Sequence, residues 1–379
     1  MADLPKINTG GNGTDPFTNS TSGIIISSSF LFLSAIIPIY FGSFRSLLRH
    51  LKGYSSEEEF VTTKDAMQFP FYASGALFTI YLIFKFVPKH IINAIFLAFF
   101  TCSAVISLGR LLIPIIRPYI PNFFTNTHFK ISYTQRNEPK EAEGDGKIIE
   151  EASWEFQTKD FPTMFVCCII GLTYVVTKHW TLNNVFGLAF SITALECLHL
   201  HQFKNGFILL GGLFFYDIFW VFFTDVMVSV AKNFEAPIKV VFPKDILVDG
   251  IFTDKVSMLG LGDIVIPGVF VAMLLRFDHR LGRNSYFYFY TGFLAYNLGL
   301  LMTFGAMLWF KHAQPALLYL SPLCTIVPSL AALVRGDFPT MLEYSDCSEE
   351  QIKALKNKTE TPKDTSSKSI TRQSARKAD

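Results

Sequence analysis

The sequence predicts an all-α integral membrane protein with nine transmembrane helices. Three observations carry that prediction. Half of the 379 residues are hydrophobic and only 17% are charged, where a soluble domain carries about 25% charged residues. The apolar residues, forty phenylalanines among them, gather in runs close to the roughly 20 residues that cross a bilayer. Backbone facing lipid must satisfy its own hydrogen bonds, so such runs are helices rather than loops.

Taken in order, a polar leader of 1–23 precedes the first run at 24–44, and a basic cluster follows that run. This order does not read as a cleavable signal. The second and third runs occupy 69–87 and 91–114. Residues 117–160 mix charges of both signs with Gly144 and Gly146 and read as a linker. Six further runs follow at 161–178, 181–200, 206–228, 256–276, 286–309 and 314–334. The run at 181–200 is the most polar, carrying Glu196 and ending at His199 and His201. From 335 the chain is rich in Lys, Ser, Thr and Glu, a composition expected to be disordered. The expected organisation is therefore 1–23 leader, 24–116 helices one to three, 117–160 linker, 161–334 core with helices four to nine, taken as the part that carries the chemistry, and 335–379 tail.

Lys and Arg in the short loops set the orientation. Arg45, Arg49, Lys52 and Lys64 follow the first run, Arg117 to Lys159 follow the third, and Arg276, Arg280 and Arg283 close the seventh. The bias places the N-terminus in the lumen and the C-terminus and linker in the cytosol. Two sequons, at Asn12 and Asn19, would then be open to N-glycosylation, whereas a third at Asn357 would face the cytosol. The net charge of +2 is spread over loops and tail rather than one patch, which excludes a nucleic-acid partner. The six cysteines show no metal or disulfide spacing, and His199 and His201 lie on different helix faces, so no metal is expected.

Two aspartates lie inside apolar runs: Asp217 in the sixth and Asp263 in the seventh. A carboxylate at bilayer depth costs about 2.5–3.5 kcal/mol even on the mildest scale, which makes each a candidate functional residue. Two carboxyls that meet cannot both ionise cheaply, so the pair holds one proton. The ionised member can then take a proton from water while the protonated one donates to a scissile carbonyl, with no cofactor and no covalent intermediate. Gly260 and Gly262 flank Asp263 where bulk would obstruct a peptide. Tyr216, beside Asp217, suits either a hydrogen bond to the pair or aromatic packing. On these residues alone, proteolysis and ion or proton translocation both stay open.

Tyr216-Asp217, Gly260-Leu261-Gly262-Asp263 and Gln314-Pro315-Ala316-Leu317, on the sixth, seventh and ninth runs, resemble the intramembrane aspartyl proteases of the presenilin-like group. The runs Asn184 to Ser191, Glu235 to Lys239 and Lys311 to Leu320 strengthen the likeness, which covers about 60–335. The resemblance implies the nine-span presenilin-like intramembrane aspartyl protease fold, with Asp217 and Asp263 as the catalytic pair. Gly260, Leu261 and Gly262 would shape the substrate site, and Pro315-Ala316-Leu317 would form the turn into the last helix, packed against the pair. Implied substrates are signal-peptide remnants and type II transmembrane segments held in the lipid bilayer of the endoplasmic reticulum, with a link to membrane-protein degradation machinery. The C-terminal Arg376-Lys377-Ala378-Asp379 looks like a dilysine-type retrieval signal. A non-proteolytic cation leak pathway or client-holding scaffold is the alternative, and the sequence does not decide between a monomer and a homo-oligomer.

Overall fold

The computed structural model describes residues 21–52, 59–120, 127–136 and 148–346, except 225, 235, 247, 249, 251, 252, 254, 284 and 311–313. The sequons at Asn12 and Asn19 and the tail from 347 lie outside the described residues.

The chain is mostly helical: α1 (Thr21–Lys52), α2 (Thr63–Phe86), α3 (Lys89–Ile116), α4 (Phe161–Thr177), α5 (Trp180–Cys197), α6 (Phe203–Phe222), α7 (Val226–Asn233), α8 (Leu261–Arg280), α9 (Phe287–Phe310), α10 (Leu317–Arg335) and α11 (Phe338–Glu343). Seven of these are long and apolar enough to cross a membrane: α1, α2, α3, α4, α6, α9 and α10. The two other long helices miss that measure for different reasons. Polar Asn183, Asn184 and Glu196 dilute α5, and α8 carries Asp263, Arg276, Asp278 and Arg280.

Local signals set several helix ends. Thr62 and Asp65 form a reciprocal capping box that starts α2, which satisfies two otherwise orphaned N–H groups. Gly336, at φ 75°, closes α10 in the left-handed conformation that glycine adopts without strain. Glu196, the residue that made the fifth run polar, pairs with Arg45 at 2.9 Å and Arg49 at 3.3 Å across the ends of α5 and α1.

Among the described residues three short two-stranded sheets interrupt the helices. β1 (Glu59–Val61) pairs in parallel with β4 (Leu198–Leu200). β2 (His128–Arg136) and β3 (Ile148–Gln157) form an antiparallel hairpin inside the segment read as a linker. β5 (Lys239–Pro243) and β6 (Val256–Gly260) form a second hairpin that runs straight into α8. Helix boundaries shift accordingly. The fifth run was expected to stay helical to 200 but yields to β4 after Cys197, and the seventh was expected to start at 256 but becomes helical only at Leu261. In both places a strand partner distant in sequence claims the backbone.

At the centre of the packing lies α8, buried at every position from Pro267 to Asp278. It packs against α1, α5, α9 and α10, while α2 lies on α6 and α10 bridges α6 and α9. Packing therefore runs across the sequence division between helices one to three and the later ones. At the far end of α8, buried Arg276 meets Asp346 at 2.7 Å and donates to Ser46 Oγ at 2.6 Å. Asp346 follows α11 and is held from three sides: its backbone N–H donates to His201 O, Tyr344 donates to its carboxylate, and Arg276 faces it. The first residues of the predicted tail are thus folded against the helices.

Candidate active site

Asp217 sits in the C-terminal half of α6 and is 3% exposed. Asp263 sits in the first turn of α8, half-buried, immediately after the β5–β6 hairpin. The two carboxyls, and the Tyr216 hydroxyl beside them, lie within Coulombic reach of one another. Each reaches the site by a different route: Asp217 from a regular helix, Asp263 from a strand-to-helix junction.

The third predicted motif closes the site from the α10 side. Pro315, Ala316 and Leu317 are buried at the start of α10, and the Leu317 backbone N–H donates to Asp217 Oδ2 at 3.0 Å in a buried contact. That N–H belongs to the first turn of the helix, where it has no partner within the helix and where the helix dipole favours negative charge. Pro315 suits the turn because the missing N–H costs nothing there.

The two glycines differ in their surroundings. A Cβ at Gly260 would stand 3.3 Å from Asp263 Oδ2, so any side chain there presses on the carboxyl itself. At Gly262 an added Cβ would meet no atom within 4 Å, which leaves open space beside Asp263. Leu261, between them, turns inward: its side chain is the nearest group to Gly187 of α5, 3.4 Å from where a Cβ would stand. Tyr216 lies on the side of α6 facing α2, its ring centroid 6.4 Å from that of Trp220. It lines a cavity of about 530 Å³ between the two helices with Pro70, Ser74, Gly212 and Trp220. Gly212 permits the close approach, since a Cβ there would stand 2.7 Å from the Pro70 ring, and Trp220 Nε1 donates to Ser74 Oγ at 3.1 Å.

Two residues of α5 brace the hairpin that leads into Asp263, a role their sequence motif did not announce. Asn184 of α5, 4% exposed, donates to Val241 O at 2.7 Å and accepts from Val241 N at 2.8 Å. Asn183 donates to Lys239 O at 2.7 Å. Together they occupy part of the outer edge of β5, where a neighbouring strand would otherwise bond. Among the described residues β6 has only β5 as a strand partner, so the hairpin's other edge, beside Asp263, is the one left for an incoming strand. The signal was present in the sequence: paired amides in an apolar run are expensive without partners, by the same reasoning that singled out the aspartates.

As to metals, no group of three or more His, Cys, Asp or Glu side chains assembles among the described residues. The arrangement sets two carboxyls within Coulombic reach of each other, with a backbone N–H at a helix start on one of them and open space at Gly262 beside the other.

Comparison with known proteins returns a consistent pattern. Residues 53–348 match the model of the signal peptide peptidase family. The chain is 45% identical over 338 residues to signal peptide peptidase of Mus musculus, covering 88% of this chain and 87% of that one. To signal peptide peptidase of Homo sapiens it is 42% identical over 362 residues, covering 95% and 94%. Intramembrane protease 2 of Caenorhabditis elegans is 43% identical over 249 residues, covering 60% of this chain and 53% of that protein.

Proposed function

Because the chain belongs to the signal peptide peptidase family of intramembrane proteases, we propose that it is an aspartic endopeptidase that hydrolyses signal-peptide remnants and type II transmembrane segments within the endoplasmic reticulum membrane, with Asp217 and Asp263 as its catalytic pair. One observation carries this reading: carboxyls from two different helices lie within Coulombic reach of each other, next to a hairpin whose β6 has no strand partner but β5 among the described residues.

In the proposed reaction the ionised carboxylate takes a proton from a water molecule, whose oxygen attacks the scissile carbonyl carbon. The protonated carboxyl donates to the carbonyl oxygen, giving a tetrahedral diol. As the diol collapses the C–N bond breaks: the departing amine takes the proton of the protonated carboxyl, one diol hydroxyl gives its proton to the ionised carboxylate, and the dyad again holds a single proton. The Leu317 N–H on Asp217 Oδ2 fixes which way that carboxyl turns. A substrate span must first leave its helix, because helical amides are bonded inward. Strand addition along β6 would hold the extended segment beside Asp263.

The nine-span arrangement belongs to the same proposal, with α5 and α8 joining the seven apolar helices. Both are enclosed by protein, and their polar groups find partners there: Asn183 and Asn184 on β5, Glu196 on Arg45 and Arg49, Arg276 on Asp346. The charge distribution then puts the N-terminus in the lumen and the C-terminus in the cytosol, where Lys377 would serve retrieval.

The test is cleavage of a labelled signal-peptide substrate by the purified full chain in detergent. Wild type should cut, and Asp217→Asn and Asp263→Asn should not. Substantial turnover by either variant would remove the dyad from the mechanism.

A further inference from the structure

Proline at position 267 leaves a specific gap in α8. In an α-helix the N–H of residue i+4 bonds the carbonyl of residue i. The donor owed to the Asp263 carbonyl is therefore that of residue 267, and proline has none. The ring of a mid-helix proline also crowds that same carbonyl and tilts it outward. A carbonyl left without a donor inside a protein is costly, so the surroundings are expected to supply one.

They supply it from α9. Tyr296 is 0% exposed, and its hydroxyl donates to Asp263 O at 3.4 Å. Among the described residues this carbonyl is the hydroxyl's hydrogen-bond partner. Its ring belongs to the main buried core of the protein.

We infer that Tyr296 is a positioning residue for Asp263, replacing through its hydroxyl the backbone donor that Pro267 removes. The consequence is specific to the dyad. Asp263 stands only two residues inside its helix, after a strand, where the first turn lacks the full ladder of bonds that stiffens a helix interior. Fixing its carbonyl fixes the peptide plane after Cα, and with it the direction in which the carboxyl leaves the backbone. Pro267 and Tyr296 act as a complementary pair: the one frees the carbonyl from the helix, and the other ties it to α9. This inference rests on the reading of Asp263 as catalytic.

The test is a double-mutant cycle on the purified full chain with a labelled signal-peptide substrate. Tyr296→Phe keeps the ring and removes the donor; Pro267→Ala restores the helical N–H. Tyr296→Phe should lower kcat about five- to tenfold, the equivalent of one neutral hydrogen bond, with KM changed less than about twofold. In the Pro267→Ala background the same change should cost less than about twofold. An equal loss in both backgrounds, or no loss in the wild-type background, overturns the inference. Should Pro267→Ala not fold, the pH–rate profile of Tyr296→Phe decides: displacement of a limb by about half a unit or more supports positioning of the dyad, and a superimposable profile overturns it. Asp217→Asn, run alongside, separates the two claims. Turnover by that variant sinks the dyad reading, whereas an inactive Asp217→Asn with a wild-type Tyr296→Phe sinks the positioning role alone.

Discussion

Removing the carboxylate of Asp346 should destabilise the fold more than any surface charge change in this chain. Arg276 is 1% exposed, and its guanidinium faces Asp346 at 2.7 Å with both side chains fully buried. Asp346→Ala leaves that guanidinium in the interior without its counter-charge, and losing one partner of a buried pair costs about 3–5 kcal/mol. The strap itself should stay docked, because the Asp346 N–H bond to His201 O and the bridge between Gln202 and Ser345 are made by backbone. Arg283 and Asp337 provide the internal control, since the Arg283 side chain is 48% exposed. Arg283→Ala should cost far less than the buried pair, as exposed pairs do. The assay is unfolding in mixed micelles by titration with a denaturing detergent, followed by tryptophan fluorescence. Arg276→Met with Asp346→Leu should recover much of the loss, because no buried charge then lacks a partner. If Asp346→Ala is no worse than Arg283→Ala, the buried pair is not the constraint it is taken to be.

Four other outcomes follow from the geometry. Asp217→Asn and Asp263→Asn should accumulate and purify as wild type does, since shape and hydrogen bonding are kept, and only turnover should be lost. Gly260→Val should suppress turnover by well over about tenfold by forcing the Asp263 carboxyl aside, whereas Gly262→Val should leave stability near wild type and act through substrate, raising KM. Substrate spans with a Gly pair near the middle should be cut faster than all-leucine spans, each Gly easing unwinding by roughly 1 kcal/mol, and rates indifferent to such changes would refute unwinding as the limiting step. In a glycosylating host, Asn12 and Asn19 should carry sugars that enzymatic deglycosylation removes with a visible gel shift; an unshifted band counts against a lumenal N-terminus.

Most of the long helices were legible because lipid leaves a spanning segment one way to satisfy its backbone, so length and apolarity suffice. Asp217 and Asp263 stood out for a related reason: an ionisable group in an apolar run has few structural excuses. What the chain hides is whatever depends on a distant partner. Val256 to Gly260 reads equally as the first turns of a helix or as a strand, because a short apolar run carries no decisive period. It becomes β6 only because Lys239–Pro243 lies alongside. The docking of Asp346 was illegible in the same way, since nothing in a polar stretch after the last helix announces a buried arginine seventy positions earlier.

The pattern also explains why α8 had to be read by its chemistry rather than by its hydropathy. A helix that faces lipid must be apolar on its outside, and the seven that satisfy the span criterion are. A helix surrounded by other helices is freed from that constraint, so α8 can carry Asp263 at one end and Arg276 and Asp278 at the other. That freedom has a condition: each polar group must find its partner inside the protein. Arg276 finds Asp346, Asp278 accepts from the Phe289 N–H at the start of α9, and the Asp263 carbonyl finds Tyr296. The Asp263 carboxyl instead has Asp217 within Coulombic reach, with open space at the neighbouring Gly262.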